Sequence, residues 1–407
     1  MENVMTTNKQ NLIKALDHEE PDFLPIDLGG TAANTIMVGP YVKLCSHFGI
    51  DPNPLYLAHP EKQNLNLHNY RLREKLGCNT NALCVFRGSS DWYQRPAYEG
   101  TMSYVPTKFV PEEQPDGSEI IMNYKTPLKK PKDGFFFDLT DHALKNITSL
   151  DGLGKFEEAI AGYDKYPWHD APVEQEMEYI KKLNPNDEYF LVGALIYHIF
   201  EGGQVLRGWS DFLLDLAMRP SFAEGLMDKI VEGHLKDYEE YSQTVGKHVN
   251  AIFVADDMGM QNTTWIRPDM YRKNIKPYHA KLFRAIKKSG KRLILHSCGA
   301  VRELIPDFIE MGVDVLNPVQ YSAAGMELKQ IKKDFGKDIS FWGGGIDTQT
   351  VLNSGTPEKV RDEVKRNIDI MADGGGFVFT QVHNVIEGCP IENVIAAYET
   401  AAVYGRK

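Results

Sequence analysis

Apolar positions along this 407-residue chain follow two alternating patterns. Short runs that are apolar or β-branched on both faces, at Phe23–Asp27, Tyr189–Leu195, Ala251–Asp257, Lys291–Ser297, Asp314–Val319, Ile339–Gly345 and Gly376–Asn384, predict strands covered on both sides. Asn79–Val85 is the best candidate for the second strand in the order. Between these runs lie stretches of helical period. In Pro268–Ser289, for example, Tyr271, Ile275, Tyr278, Leu282 and Ile286 recur at near-helical spacing and predict a helix that coats a barrel from outside. The βαβα order predicts a parallel sheet, and the length suits one (β/α)₈ barrel with insertions.

Gly100–Asp138 breaks the alternation. Its segments Met102–Val105, Glu119–Tyr124 and Phe135–Asp138, punctuated by Pro115-Asp116-Gly117, predict a small antiparallel meander. The polar, Pro- and Gly-containing stretch Leu139–Asp187 predicts helices over one barrel mouth. The expected architecture is therefore an α/β (β/α)₈ TIM barrel forming a single domain over residues 1–407. The inserted antiparallel β-meander and helical cap would occupy residues 100–187.

Composition narrows the partners. With 42% hydrophobic and 25% charged residues the chain has material for a core. Its net charge of -11, without a run of Lys and Arg interleaved with aromatics, argues against nucleic acid and for a small-molecule substrate. Met1–Asp17 reads polar and then amphipathic, with no apolar core of a signal peptide, and no later stretch approaches a membrane span. The expectation is a cytoplasmic protein away from the membrane. Five scattered cysteines, Cys45, Cys78, Cys84, Cys298 and Cys389, do not make a disulfide framework.

Catalytic groups of a (β/α)₈ barrel sit at the carboxyl ends of its strands. Four predicted strands end in polar residues: Ala255-Asp256-Asp257, Leu295-His296-Ser297-Cys298-Gly299, Gly345-Ile346-Asp347 and Gln381-Val382-His383-Asn384, the last followed by Gly388-Cys389-Pro390. Alternate residues of a strand point the same way, so His296 and Cys298 can present an imidazole and a thiolate to one point. With Cys389 they would make a two-sulfur, one-nitrogen set suited to zinc with its fourth position open. Two core cysteines and a hydrogen-bonded histidine would give the same pattern.

Asp257 is the more attractive of the two adjacent aspartates for chemistry, with a helix cap as the competing role. Asp347 closes a glycine run, where it serves either a ligand or the next helix, and His383 is either a catalytic group or a structural histidine. Tyr197, His198 and Glu201 follow another strand as candidate substrate contacts, and Asn317 and Gln381 join them. Trp342 is assigned to packing. Gly29-Gly30-Thr31 lacks the lysine of a phosphate loop. Nucleophile elbows and H-E-x-x-H helices are absent from the sequence.

Nearly the whole chain resembles the uroporphyrinogen decarboxylase superfamily. The residues that carry the resemblance are Ala15-Leu16-Asp17-His18-Glu19-Glu20-Pro21-Asp22-Phe23-Leu24-Pro25-Ile26-Asp27, Leu295–Gly299, Gly312-Val313-Asp314-Val315-Leu316-Asn317-Pro318, Gly344-Gly345-Ile346-Asp347-Thr348-Gln349, and His383-Asn384 with Pro390-Ile391-Glu392-Asn393. Decarboxylases of this superfamily grip their tetrapyrrole with arginines near the N-terminus, whereas Ile26–Asn34 here contains none.

The His-x-Cys motif instead resembles the zinc-bearing branch, whose members exchange methyl groups with a corrinoid protein. The resemblance implies zinc on His296, Cys298 and Cys389, although the thiol-methylating members place their third ligand somewhat earlier relative to Pro390-x-Glu392-Asn393, so that Glu387 or His383 could share or replace it. It also implies a corrinoid (cobalamin) carried by a separate corrinoid-binding protein, since no Asp-x-His-x-x-Gly motif occurs in this chain. The preferred expectation is an O-demethylase component that moves a methyl group from a methoxylated aromatic methyl donor to cobalt. Asp257 or His383 would then protonate the departing oxygen. A methylcorrinoid:thiol methyltransferase of the coenzyme M type, a porphyrin-type decarboxylase and a catalytically idle scaffold remain as alternatives.

Overall fold

A computed structural model describes residues 6–65, 70–97, 100–123, 125–157, 160, 163 and 166–405. Met1–Met5, Tyr124 and residues 158–159, 161–162 and 164–165, which fall within segments read from the sequence, lie outside the described residues. The core is a seven-stranded sheet. We number its strands β1 (Ala82–Val85), β2 (Phe190–Ala194), β3 (Ala251–Ala255), β4 (Arg292–His296), β5 (Val315–Asn317), β6 (Ser340–Trp342) and β7 (Phe377–Val378). They pair in this order, every pair parallel.

The expected first strand, Phe23–Asp27, does not form a regular strand. It spans the gap between β7 and β1 and closes the barrel. On one side Phe379 N–H donates to the Pro25 carbonyl at 2.8 Å and Asp27 N–H to Phe379 at 2.9 Å; on the other, Asn79 N–H donates to Ile26 at 2.9 Å and Cys84 N–H to Gly29 at 3.3 Å. Pro25 has no N–H to contribute, so this stave cannot carry an unbroken ladder. Gly376–Asn384 is likewise regular only over Phe377–Val378 and continues as single bridges from Gln381 to Ile346 and from Val385 to Ile36.

Alternation along the strands divides the apolar residues between two cores. Ala82, Cys84, Phe190, Val192, Ala251, Phe253, Ile294, Val315, Trp342 and Val378 fill the barrel interior, while Leu191, Ile252, Leu293, Leu295, Leu316 and Phe341 face the surrounding helices. Leu12 and Leu16, on the helix Asn8–Leu16, plug the interior from the end opposite the strand carboxyl termini. That helix begins with a capping box between Thr7 and Gln10. Pro268–Ser289 forms two helices, Pro268–Asn274 and Lys276–Lys288, because Pro277 has no N–H to continue the first one and suits the opening turn of the second.

Between β1 and β2 the expected single meander is two separate antiparallel sheets. Met102–Pro106 pairs with Trp92–Pro96, and Glu119–Asn123 lies in a four-stranded sheet with Glu112–Glu113, Thr126–Lys130 and Asp138–Leu139. Pro115-Asp116-Gly117 does form a turn, with Gly117 at φ 79°. Helices Leu150–Leu153 and Val173–Leu183 follow. Tyr163 joins this region to the barrel mouth by donating its hydroxyl to the carbonyl of His198, just beyond β2. Among the described residues no helix is long and apolar enough to cross a membrane.

Asp27 organises the closing stave. Its fully buried carboxylate accepts from Gly30 N–H at 3.0 Å, Thr80 Oγ at 3.0 Å and Trp342 Nε1 at 3.0 Å, and faces Arg73 at 3.3 Å. Burial pushes this carboxyl up despite Arg73 and Trp342. Gly30 is therefore needed for closeness, not for a phosphate: a Cβ there would lie 2.6 Å from Asp27 Oδ1 and 2.8 Å from Ala82 Cβ. We expect Gly30→Ala to destabilise the fold by about 2 kcal/mol in urea unfolding, the usual scale of an overpacked core.

Candidate metal centre

His296 is the last residue of β4, and Cys298 follows two positions later on the same side. The third group comes from the segment after β7. Donor atoms of His296, Cys298 and His383 all lie within 4.8 Å of one another, with Cys298 Sγ 3.5 Å from His296 Nε2. The His383 ring stands edge-on to that of His296 at a centroid distance of 5.5 Å.

Asn317, at the end of β5, determines which nitrogen of His296 faces the cluster. Its amide nitrogen donates to Asn34 Oδ1 at 2.5 Å and to the Trp342 carbonyl at 2.7 Å. Its oxygen must then accept from His296 Nδ1–H at 2.7 Å, leaving the Nε2 lone pair toward Cys298 and His383. The sequence suggests that Asn317 touches substrate; in the structure it is buried in this network, bonded to His296.

The two adjacent aspartates divide their work. Asp256 is buried and accepts from the backbone N–H groups of Ile199, Phe200 and Glu201 at 3.1, 2.7 and 2.8 Å, and from His279 Nε2 at 2.7 Å. Burial would raise its carboxyl, but His279 and the backbone donors hold it below the ordinary value. Asp257 points the other way, into the mouth. Its Oδ1 accepts from Cys298 N–H at 2.7 Å and stands 3.7 Å from His296 Nε2. Glu201 Oε2 accepts from Asp257 N–H at 2.8 Å and lies 3.5 Å from His198 Nε2.

Cys389 is not brought to this cluster. Its buried thiol faces the carbonyls of Leu352 and Pro390 at 3.7 and 3.9 Å, and burial pushes it up to about 12, as for a packed core thiol. Glu387 accepts from Gly39 N–H at 2.8 Å. His383 stands in the cluster, whereas Cys389 lies in the wall directly after Gly388, which turns the chain at φ 81°. Asp347 caps a helix start, accepting from Thr350 N–H and Oγ1 at 2.7 Å each. Gln381 is buried against Tyr398 and Thr380. Tyr197 is buried too, donating to Asp237 at 2.5 Å with its ring on His234.

His279 and Asn34 carry no mark in the sequence. Each acts through a neighbour, and no local pattern marks such a role. Also unforeseen is Ile196, two residues beyond β2 beside the mouth, at φ 49°. A β-branched residue in that region carries backbone strain of about 1–3 kcal/mol.

Electrostatically, the mouth calls for a cation. Burial, with Asp257 and Glu201 nearby, pushes the Cys298 thiol well above its ordinary value. Burial, aided by Asp257 and Asp256, raises Glu201 to about 8, whereas burial and His296 lower His383 to about 4 and keep it neutral. Two imidazole nitrogens and a thiol held protonated by burial form a donor set suited to zinc. Gly299, at φ 86°, lets the Gly259–Met260 backbone approach the site: a Cβ there would meet Gly259 C at 2.4 Å.

The family model for uroporphyrinogen decarboxylase (URO-D) matches residues 194–404, more than half of the chain. Among solved structures the chain is similar to a methyltransferase from Methanosarcina mazei, at a TM-score of 0.60 and 18% identity, covering 98% of this chain and 99% of that one. At that identity the likeness concerns the fold. No curated protein gives a significant match.

Added zinc should bind wild-type protein and Cys389→Ser at about one ion per chain. Cys298→Ser and His383→Ala should lose it, as elemental analysis after gel filtration would report. Loss in Cys389→Ser with retention in His383→Ala would reverse the assignment. Metal-free protein should lose stability between about pH 4.5 and pH 8, because folded Glu201 keeps a proton that the unfolded chain releases. Glu201→Gln should flatten that part of the profile.

Proposed function

The chain belongs to the uroporphyrinogen decarboxylase (URO-D) family, and we propose that within it the protein is a zinc-dependent methyltransferase. It would move a methyl group from a methoxylated aromatic substrate to the cobalt of a separate corrinoid protein. The observation that supports this most is the nitrogen–sulfur donor set of His296, Cys298 and His383, beside two carboxyl groups at the open end of the barrel. The fold likeness to a methyltransferase agrees with it. A single domain with one insertion between β1 and β2 is part of the same proposal.

His296, Cys298 and His383 would hold the zinc, which when bound supplies Lewis acidity toward the ether oxygen. Asn317 fixes the ring of His296, and Asp257 fixes the backbone of Cys298 through its N–H. His383, as a ligand, is no longer available as the acid, and that role passes to Glu201. With its carboxyl raised to about 8, Glu201 keeps a proton at neutral pH, and its Oε1 is left to carry it while Oε2 accepts from Asp257. As the methyl–oxygen bond breaks, the electron pair stays on the phenolic oxygen, which takes this proton. His198, 3.5 Å from Oε2, is placed to return one. Phe86 and Ile196 form an apolar rim that limits water at the reacting oxygen.

The test is loss of cob(I)alamin absorbance on adding methoxybenzoates to zinc-loaded protein. We expect methylation of cobalt and release of the phenol, with His296→Ala inactive. Glu201→Gln should be slower by about 10²-fold and should lose the alkaline limb of its pH profile near 8. No transfer from any aryl methyl ether would sink the proposal, and methylation of a thiol from methylcobalamin would point to the thiol-methylating branch.

A further inference from the structure

A cavity of about 810 Å³ lies outside the metal centre. It opens beside the mouth, between the loop Ile50–Tyr56, the helix Val173–Leu183 and the end of β1, and Phe86 and Ala194 line both it and the barrel interior. Its size lies within the range of about 300–1,000 Å³ usual for small-molecule sites.

Two features of its wall point to one ligand chemistry. The first is aromatic. Tyr56 is stacked on Tyr104 at 4.9 Å and meets Trp92 edge-on at 5.0 Å, and the rings of Phe86 and Tyr179 complete the wall. Tyr56 and Tyr179 are 38% and 40% exposed, so aromatic surface is left to water where a flat ligand would cover it.

The second feature is an unmatched charge. Each other ionic group of the wall is satisfied internally: Arg87 pairs with Asp237, Glu176 accepts from Gly88 N–H at 2.8 Å, and Asp51 accepts from Asn53 N–H at 2.9 Å. Arg71 is exposed at the rim and, among the described residues, makes no ion pair or side-chain hydrogen bond. A guanidinium fork beside an aromatic wall fits an aromatic carboxylate.

We infer that this cavity binds the ring of the substrate, and that the substrate is an aromatic carboxylate whose acid group pairs with Arg71 while its ring lies against Tyr56 and Trp92. The assignment of the bound acid as the methyl donor rests on the O-demethylase reading; binding itself does not. Phe86 and Ala194 belong both to the cavity wall and to the barrel interior, and through them the cavity adjoins the barrel.

The test is calorimetry with 3-methoxybenzoate and its neutral analogue 3-methoxybenzamide, on wild type and on Cys298→Ser, which cannot turn over. We expect both proteins to prefer the acid about tenfold, Arg71→Gln to erase that preference without weakening the amide, and Tyr179→Ser to weaken both. Ligand binding should also quench tryptophan fluorescence, and Trp92→Phe should remove the quench. Equal affinity for acid and amide in wild type, an unchanged preference in Arg71→Gln, or no binding of either probe would overturn the inference. Acid-selective binding without methyl transfer would instead leave this site standing and defeat the O-demethylase reading.

Discussion

Asp256 carries the constraint on which the mouth depends. One buried carboxylate gathers three backbone N–H groups after β2 and the imidazole of His279 from an outer helix. The start of the helix Phe200–Arg207, the end of β3 and the helix Lys276–Lys288 are thereby tied together. Because neighbouring residues of an extended segment face opposite ways, fixing Asp256 outward fixes Asp257 inward. Asp257 then holds the Cys298 backbone, and Glu201 holds Asp257. The geometry of the donor cluster is thus set by groups that do not belong to it.

Burial makes this arrangement self-consistent. His383 is kept neutral, the Cys298 thiol is kept protonated, and the surrounding carboxyl groups supply negative potential, which a bound cation would relieve. The same low-dielectric surroundings that raise Glu201 give it a proton to donate near neutrality. In the proposed reaction, metal affinity and acid catalysis would both draw on this one electrostatic feature.

Much of this was legible in the sequence because strands buried on both faces leave a simple trace. β1 to β6 fall inside the runs expected for them, and the polar residues that end those runs include His296, Cys298 and Asp257. What could not be read depends on backbone direction over short distances. Pro25 and Gly30 turn the first stave into a closing segment; Cys389, just after the turn at Gly388, lies in the wall, and His383 is the third donor of the cluster. A cysteine close to a motif is a stronger sequence signal than a histidine whose orientation the sequence does not show, so the sequence points to Cys389. The two small sheets between β1 and β2 were merged into one because alternation shows that strands exist but not which of them pair.

Ile196 has a different kind of consequence. Its left-handed backbone would be relaxed by glycine, yet the isoleucine side chain supplies apolar surface beside the mouth, so the position trades folding stability for shape. A search for thermostable variants would be drawn to it, and success there would widen the entrance and admit water. Robustness and selectivity meet at this one residue, and a chain improved in the first would be expected to discriminate less well among the molecules it admits.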